Sequence, residues 1–399
     1  MSAGGAGRRG RGGGGRAGAG AGAGRRRRDD RRHAAAGACG EGDSAAGVTT
    51  PGPDESDDAE RAFEPTFADL AGASLPDVDL PAGTCLGRVI RLDRGYPLVC
   101  TPGATVRTEH AVALVKGSDL RASVGDWVCV RMPDGHDKAR IEEILPRATT
   151  LSRWDGRSRG QRQVLAANLD LVVVVQPLSR RPVSPDRVAR SAVLAREGSV
   201  AVAVVLTKAD RTDAEGVEKA VSAIRACLPG DLPIVVTSSQ TGEGLDETRA
   251  LLRPGTTTLL LGESGAGKST LVNGLVGAAV LGTGAVRARD DTGRHTTVAR
   301  RMIAVPGAGV IVDAPGLRSL PLLDERDGLA ATFPDIAAHL GGCRFRDCTH
   351  GDEPGCAVRA AVRAGEIPEE RLAEYRALEA EMLRNRRGLD PAAPQSLTS

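Results

Sequence analysis

Leu260-Leu-Gly-Glu-Ser-Gly-Ala-Gly-Lys-Ser-Thr-Leu-Val272 decides how the rest of the chain is read. Within it, Gly262-x-x-x-x-Gly267-Lys268-Ser269 has the spacing of a phosphate-binding loop. Thr256 to Leu261, ahead of it, is a β-branched and apolar run that predicts a buried strand, and Thr270 to Val276, behind it, has helical spacing. A phosphate chain would then rest on unpaired backbone N–H groups at the positive end of a helix dipole. Gly262, Glu263, Ser264, Gly265, Ala266, Gly267, Lys268, Ser269 and Thr270 are expected to cradle it. Lys268 would reach the outer phosphates and the Ser269 hydroxyl would ligate Mg²⁺. A glycine-rich turn with no ligand is the plainer alternative, but it leaves the full Gly/Lys/Ser pattern unexplained.

Three further segments complete a nucleotide pocket. Val200 to Leu206 predicts a strand, and Thr207-Lys208-Ala209-Asp210 follows it directly. An Asp there can accept two hydrogen bonds from guanine N1–H and N2–H₂, a donor pair that adenine lacks. GTPases usually begin this motif with Asn, where this chain has Thr207. The next strand, Ile234 to Thr237, runs into Ser238-Ser239-Gln240-Thr241-Gly242, which suits a loop packing on the base. Downstream of the phosphate loop, Gly309-Val-Ile-Val-Asp313-Ala-Pro-Gly316 predicts a strand delivering Asp313 to Mg²⁺ through water and the Gly316 N–H to the γ-phosphate. The polar stretch Thr292-Gly-Arg-His295-Thr-Thr297 suits a switch loop whose Thr297 completes the metal shell. The base readers precede the phosphate loop, whereas in ordinary GTPases they follow it. The sheet can be the same if the chain has been circularly permuted.

Apolar runs at Asn168–Val175 and Val200–Leu206 alternate with helical patterns opening at Ser184-Pro185 and spanning about Ala214 to Leu228, which implies a doubly wound parallel α/β sheet. Between Leu86 and Pro146, short apolar runs (Gly87–Leu92, Tyr96–Cys100, Asp126–Val130, Ala139–Leu145) are punctuated by Gly and Pro turns. Four or five such strands predict a small barrel, the OB-fold being the commonest with a nucleic-acid habit. Residues 1 to about 60 alternate Gly/Ala with arginine and hold too few large apolar side chains to fold alone. Their Arg25–Arg28 cluster reads either as an RNA-phosphate contact or as part of a solvated tail. The expected divisions are a tail and linker over 1–80, the barrel over 81–147, the nucleotide domain over 148–325 and a helical domain over 326–399.

The 399 residues carry a net charge of only +2, so charge alone demands no nucleic-acid partner, and aromatic residues at 2% argue against a broad base-stacking platform. No apolar run approaches the length of a membrane span, and the N-terminus has no apolar secretion signal; a transit peptide is a weaker reading of its arginines. Three of the eight cysteines fall in Cys343-x₄-Cys348-x-His350-x₅-Cys356 and the rest are scattered. That pattern predicts a reducing compartment, the cytoplasm, and one metal site instead of a disulfide framework. Three thiolates and an imidazole suit a closed, structural Zn²⁺ site.

Taken together, these motifs closely resemble the ribosome small-subunit-dependent GTPase A family, whose members are circularly permuted GTPases. The resemblance runs from about Gly87 to Leu378 and takes in Leu145-Pro-Arg147, Asn168-Leu-Asp170, Gly293-Arg-His-Thr-Thr297 and the cysteine cluster. It implies a GTP/GDP-binding enzyme, expected as a monomer off the membrane, with the small ribosomal subunit and its RNA as partner and late maturation of that subunit as its role. Leu317 occupies the position after Gly316 where many GTPases keep a water-orienting Gln, so unaided hydrolysis should be slow. His295 is the nearest substitute and the resemblance agrees, though a histidine that only structures the loop fits equally. Two other readings stand beside this one: a GTP-dependent RNA-binding protein in which hydrolysis is incidental, and an ATP-using phosphate-loop enzyme indifferent to Asp210→Asn.

Overall fold

The computed structural model describes residues 61–72, 75–93, 96–111, 121–133, 138–154, 162–179, 181–282, 300–314 and 320–389. His295, Thr297, Gly316 and Leu317, together with the arginine-rich tail, lie outside them.

Five short strands form the N-terminal barrel: β1 (Cys85–Asp93), β2 (Tyr96–Cys100), β3 (Thr105–His110), β4 (Trp127–Arg131) and β5 (Ala139–Ile144). Their pairing runs β1-β2-β3-β5-β4 and closes β4 back onto β1, with β3–β5 parallel and the other pairs antiparallel. This is the closed OB-type arrangement. Val89, Val99, Val128, Val130 and Ile141 fill its interior. Strand β3 has no counterpart among the predicted apolar runs, because Thr108 alone of its residues is buried. A short helix ahead of the barrel, α1 (Phe67–Leu70), carries a Thr66–Asp69 capping box and sets Phe67 edge-on to Trp127.

After the barrel, β6 (Thr150–Trp154) and β7 (Arg162–Ala167) form a separate two-stranded hairpin. The main sheet then assembles from β8 (Leu171–Pro177), β9 (Ala201–Thr207), β10 (Ile234–Val236), β11 (Thr257–Leu261), β12 (Arg300–Ala304) and β13 (Val310–Asp313). Its order is β10-β9-β8-β11-β13-β12, parallel except for β12. Alternate residues of each strand enter different cores. Val172, Val174, Val202 and Val204 pack on the side of α2 (Pro185–Glu197) and α3 (Ala214–Cys227). Val173, Val175, Ala203 and Val205 pack with α4 (Leu245–Leu251) and α5 (Lys268–Val276) on the other. Burial on both faces is why these strands read as unbroken apolar runs. Beyond β13 the chain is helical: α6 (Arg326–Thr332), α7 (Pro334–Leu340), α8 (Ala357–Arg363) and α9 (Glu369–Leu389). Among the described residues no helix is long and apolar enough to cross a membrane.

Two features join barrel and sheet. Strand β1 pairs antiparallel with β12 at Arg91↔Arg301 and Leu92↔Arg300, giving one sheet of eleven strands. The fully buried Arg88 donates to the carbonyls of Gly125 (3.3 Å), Leu70 (3.3 Å) and Asn168 (2.9 Å) and lies 4.9 Å over the Trp127 ring. Burial lowers its pKa to about 10, against the pull of Asp170 and Asp126, so it stays charged at neutral pH. Beside it, Arg147 forks onto the buried Asp126 with two contacts of 2.7 Å, and Asp170 accepts the Thr257 N–H at 2.7 Å. The Leu145-Pro-Arg147 and Asn168-Leu-Asp170 segments thus lie at the joint between barrel and sheet.

Candidate functional site

The parallel strands deliver the predicted nucleotide residues to one end of the sheet. Strand β11 ends at Leu261 and feeds Gly262–Gly267; its neighbours β8 and β13 end at Pro177 and Asp313, and β9 and β10 end just before Lys208 and Thr237. Binding sites of open α/β sheets sit at these carboxyl ends. The loop needs glycine for two reasons. A Cβ on Gly262 would meet the Val175 carbonyl at 2.5 Å, and Gly267 caps α5 with a φ of +92°. The helix predicted from Thr270 begins earlier, at Lys268. Glu263, Ser264 and Gly265 are exposed, Ala266 is buried, and Ser269 and Thr270 are half-buried on the first turn. Lys268 Nζ curls back over the loop, 2.5 Å from the Gly262 carbonyl and 2.8 Å from that of Glu263.

The segments predicted to read the base lie against this loop. Buried Thr207 donates its hydroxyl to the Ala266 carbonyl at 2.6 Å, and Lys208 Nζ reaches the Gly265 carbonyl at 2.5 Å. Thr207 therefore straps one loop to the other. A hydroxyl suffices for that, which accounts for Thr where the usual motif begins with Asn. Lys208 takes a left-handed φ of 62°, and burial together with Arg211 pushes its ammonium below the usual range. Ser238 donates its hydroxyl to Asp210 Oδ1 at 2.6 Å, while the N–H groups of Gln240 and Thr241 approach the same hydroxyl oxygen. Ser238 thereby orients the carboxylate, leaving it a quarter exposed. Ser239 is half-buried, its Cβ facing Gly274 of α5. Asp313, 8% exposed, closes the other side of the loop at the end of β13.

The second cluster is the predicted metal module. The sulfurs of Cys343, Cys348 and Cys356 and a ring nitrogen of His350 all lie within 4.8 Å of one another. His350 Nδ1 is 3.6 Å from Cys343 Sγ and from Cys356 Sγ, which are themselves 4.0 Å apart. A tetrahedral zinc with Zn–S bonds of 2.3 Å separates its sulfurs by about 3.8 Å, so the donor set and spacing fit one such ion. Burial and the neighbouring thiols raise the Cys348 pKa to about 12, and burial lowers that of His350. Cys356 also caps α8, accepting the Arg359 N–H at 3.4 Å.

Several polar contacts in this region have no local sequence signal. Arg187 of α2 pairs with Glu263 of the phosphate loop, Arg190 binds Glu381 of α9 at 2.5 Å, and Trp154 Nε1 donates to Glu325 at 2.8 Å. A cavity of about 410 Å³ lies among Gln176, Arg187, Glu263, Pro321 and Arg384.

The sheet order, with the strands that carry the predicted base readers placed ahead of the phosphate-loop strand in the chain, defines a circularly permuted GTPase with a barrel before it and a metal-binding helical module after it. The comparisons agree. Residues 144–323 match the RsgA GTPase family. The chain is 44% identical over 297 residues to the "Small ribosomal subunit biogenesis GTPase RsgA" of Streptomyces avermitilis, covering 74% of this chain and 79% of that one. It is 38% identical over 336 residues to the protein of that name from Xanthomonas euvesicatoria, covering 83% and 86%. Among solved structures it is similar to YjeQ from Thermotoga maritima, at 27% identity and a TM-score of 0.58 over 75% of this chain and 98% of that one. In fold it is similar to YloQ, a circularly permuted GTPase, at 23% identity and a TM-score of 0.55 over 75% and 96%. The chain belongs to the RsgA family of GTPases.

Proposed function

We propose that this protein hydrolyses GTP on the small ribosomal subunit during its late assembly and leaves once GDP is formed. The observation that carries the nucleotide half is the assembled pocket: Asp210 oriented by Ser238, and Thr207 and Lys208 strapped to the phosphate loop. In this reading Asp210 binds the guanine edge, with Ser238 and Ser239 against the base. Backbone N–H groups from Gly262 to Thr270 take the phosphates, and Lys268 swings from the loop carbonyls to the outer ones. Ser269, Thr297 and Asp313 hold Mg²⁺, Gly316 meets the γ-phosphate, and His295 orients water. Cys343, Cys348, His350 and Cys356 hold one structural Zn²⁺. A bound Mg²⁺ would neutralise charge developing on the phosphates. The partner is inferred from the family relatives, and the barrel and metal module are the surfaces proposed to grip its RNA. We place the enzyme in the cytoplasm as a monomer.

GTP turnover measured with and without purified small subunits tests this. Stimulation of at least tenfold is expected, because the aliphatic Leu317 cannot align water and a partner must complete the site. Unchanged turnover despite measurable binding would favour the alternative, a GTP-dependent RNA-binding protein in which hydrolysis is incidental.

A further inference from the structure

Beyond β13, the chain from Leu320 to Glu325 is held from two sides by carboxylates that the nucleotide pocket does not use. On one side Glu381 of α9 accepts the Leu322 N–H at 3.1 Å and Asn385 donates to the Leu322 carbonyl at 2.6 Å. On the other, Glu325 Oε2 accepts the N–H groups of Leu323 (2.6 Å) and Asp324 (3.0 Å), while its Oε1 accepts Trp154 Nε1–H from the β6–β7 hairpin. Glu325 stands at the N-cap of α6 yet gives its side chain to no N–H of that helix. Capping therefore does not explain a carboxylate that is 2% exposed, whose pKa burial raises. Its partners all belong to the hairpin and to the segment leading from β13.

The hairpin has reason to depend on this contact. A two-stranded ribbon is marginal by itself in water. Leu151 and Leu165 bury the base of this one, where the Thr150 N–H bonds the Gly198 carbonyl. At its other end Trp154 reaches Glu325, and Arg162, 5.0 Å from the Trp154 ring, lies 3.5 Å from the same carboxylate. The hairpin also carries positive charge at Arg153. Arg153 bonds Gln163, a neutral partner, and with burial it depresses the pKa of Arg300. Such a surface suits the phosphates of an RNA.

We infer that Glu325 is a positioning residue for GTP hydrolysis: through Trp154 it ties the hairpin to the segment behind β13, so RNA bearing on the hairpin adjusts the catalytic end of the sheet. This rests on the small-subunit reading above. The test is Trp154→Phe, which keeps an aromatic face toward Arg162 while replacing the indole by a smaller phenyl ring that has no N–H to donate to Glu325. In the full chain with purified small subunits, stimulated kcat should fall about tenfold. GDP affinity, melting temperature and cosedimentation with the subunit should stay within twofold, a degree or two, and threefold respectively. Stimulated kcat equal to wild type would overturn the relay alone. A fall in kcat matched by falls in GDP affinity and melting temperature would also overturn it, in favour of a merely structural contact. An unstimulated wild type would sink the proposed function, and the relay with it. Should Trp154→Phe not fold, Glu325→Gln, of equal volume and without the charge, is read by the same criteria.

Discussion

Asp210→Asn should lower GTP affinity by roughly two to four orders of magnitude and turn the protein toward xanthosine triphosphate. Ser238 already donates to Asp210 Oδ1, so an Asn would keep its oxygen there and present its amide to the base. Two guanine donors would then meet a donor. A charge-assisted hydrogen bond contributes about 1.5–3 kcal/mol and an unpaired buried polar group costs about 1–3 kcal/mol; together these give the predicted change in Kd. Xanthine carries a carbonyl where guanine has its 2-amino group, which restores the match. Competition calorimetry with GDP, XDP and ADP reads the result, and XDP binding also certifies that the variant is folded. Equal GDP affinity in both proteins would remove Asp210 from the base site and revive the ATP-using reading.

The second large effect belongs to the metal module. Cys356→Ala removes both a proposed zinc ligand and the cap of α8. Structural zinc contributes about 10–16 kcal/mol in small domains that fold around it. Here Val358, Leu372, Tyr375 and Phe333 belong to the same apolar core as the sheet strands and α2, so local unfolding is expected instead of collapse of the whole chain. Elemental analysis should find one zinc per wild-type chain and none in the variant. Hydrogen exchange over α8 and the first turns of α9 should quicken. GDP affinity should stay within about threefold, because the nucleotide loops hang on the sheet. A variant that keeps its zinc and its exchange protection would contradict the assignment.

The parts of this molecule legible in the sequence are those whose physics is local. Gly262 and Gly267 are needed by the turn in which they stand, Pro185 opens α2 and Gly198 closes it, and three cysteines and a histidine fall within one short loop. The buried strands β8 and β9 announce themselves because both of their faces are covered. Strand β3 does not, since Thr108 is its one buried residue and Val106 its one apolar residue on the core, nor does β12, whose Arg300-Arg301 start reads as solvated surface although it bridges barrel and sheet. The hairpin β6–β7 was equally hidden, being polar toward its tip. Contacts spanning long chain separations, such as Trp154 with Glu325 and Arg190 with Glu381, carry no periodic signal at all. A tryptophan in a chain with only two of them was the one available hint. Thr207 shows the reverse case: the residue that departs from the usual motif is explained once its hydroxyl is seen on the Ala266 carbonyl.

The central claim is that this permuted pocket reports its nucleotide to the small ribosomal subunit. Cosedimentation of the full chain with purified small subunits, once with a non-hydrolysable GTP analogue and once with GDP, measures this directly. The account predicts retention with the analogue and at least tenfold weaker binding with GDP; equal affinity in the two states would contradict it.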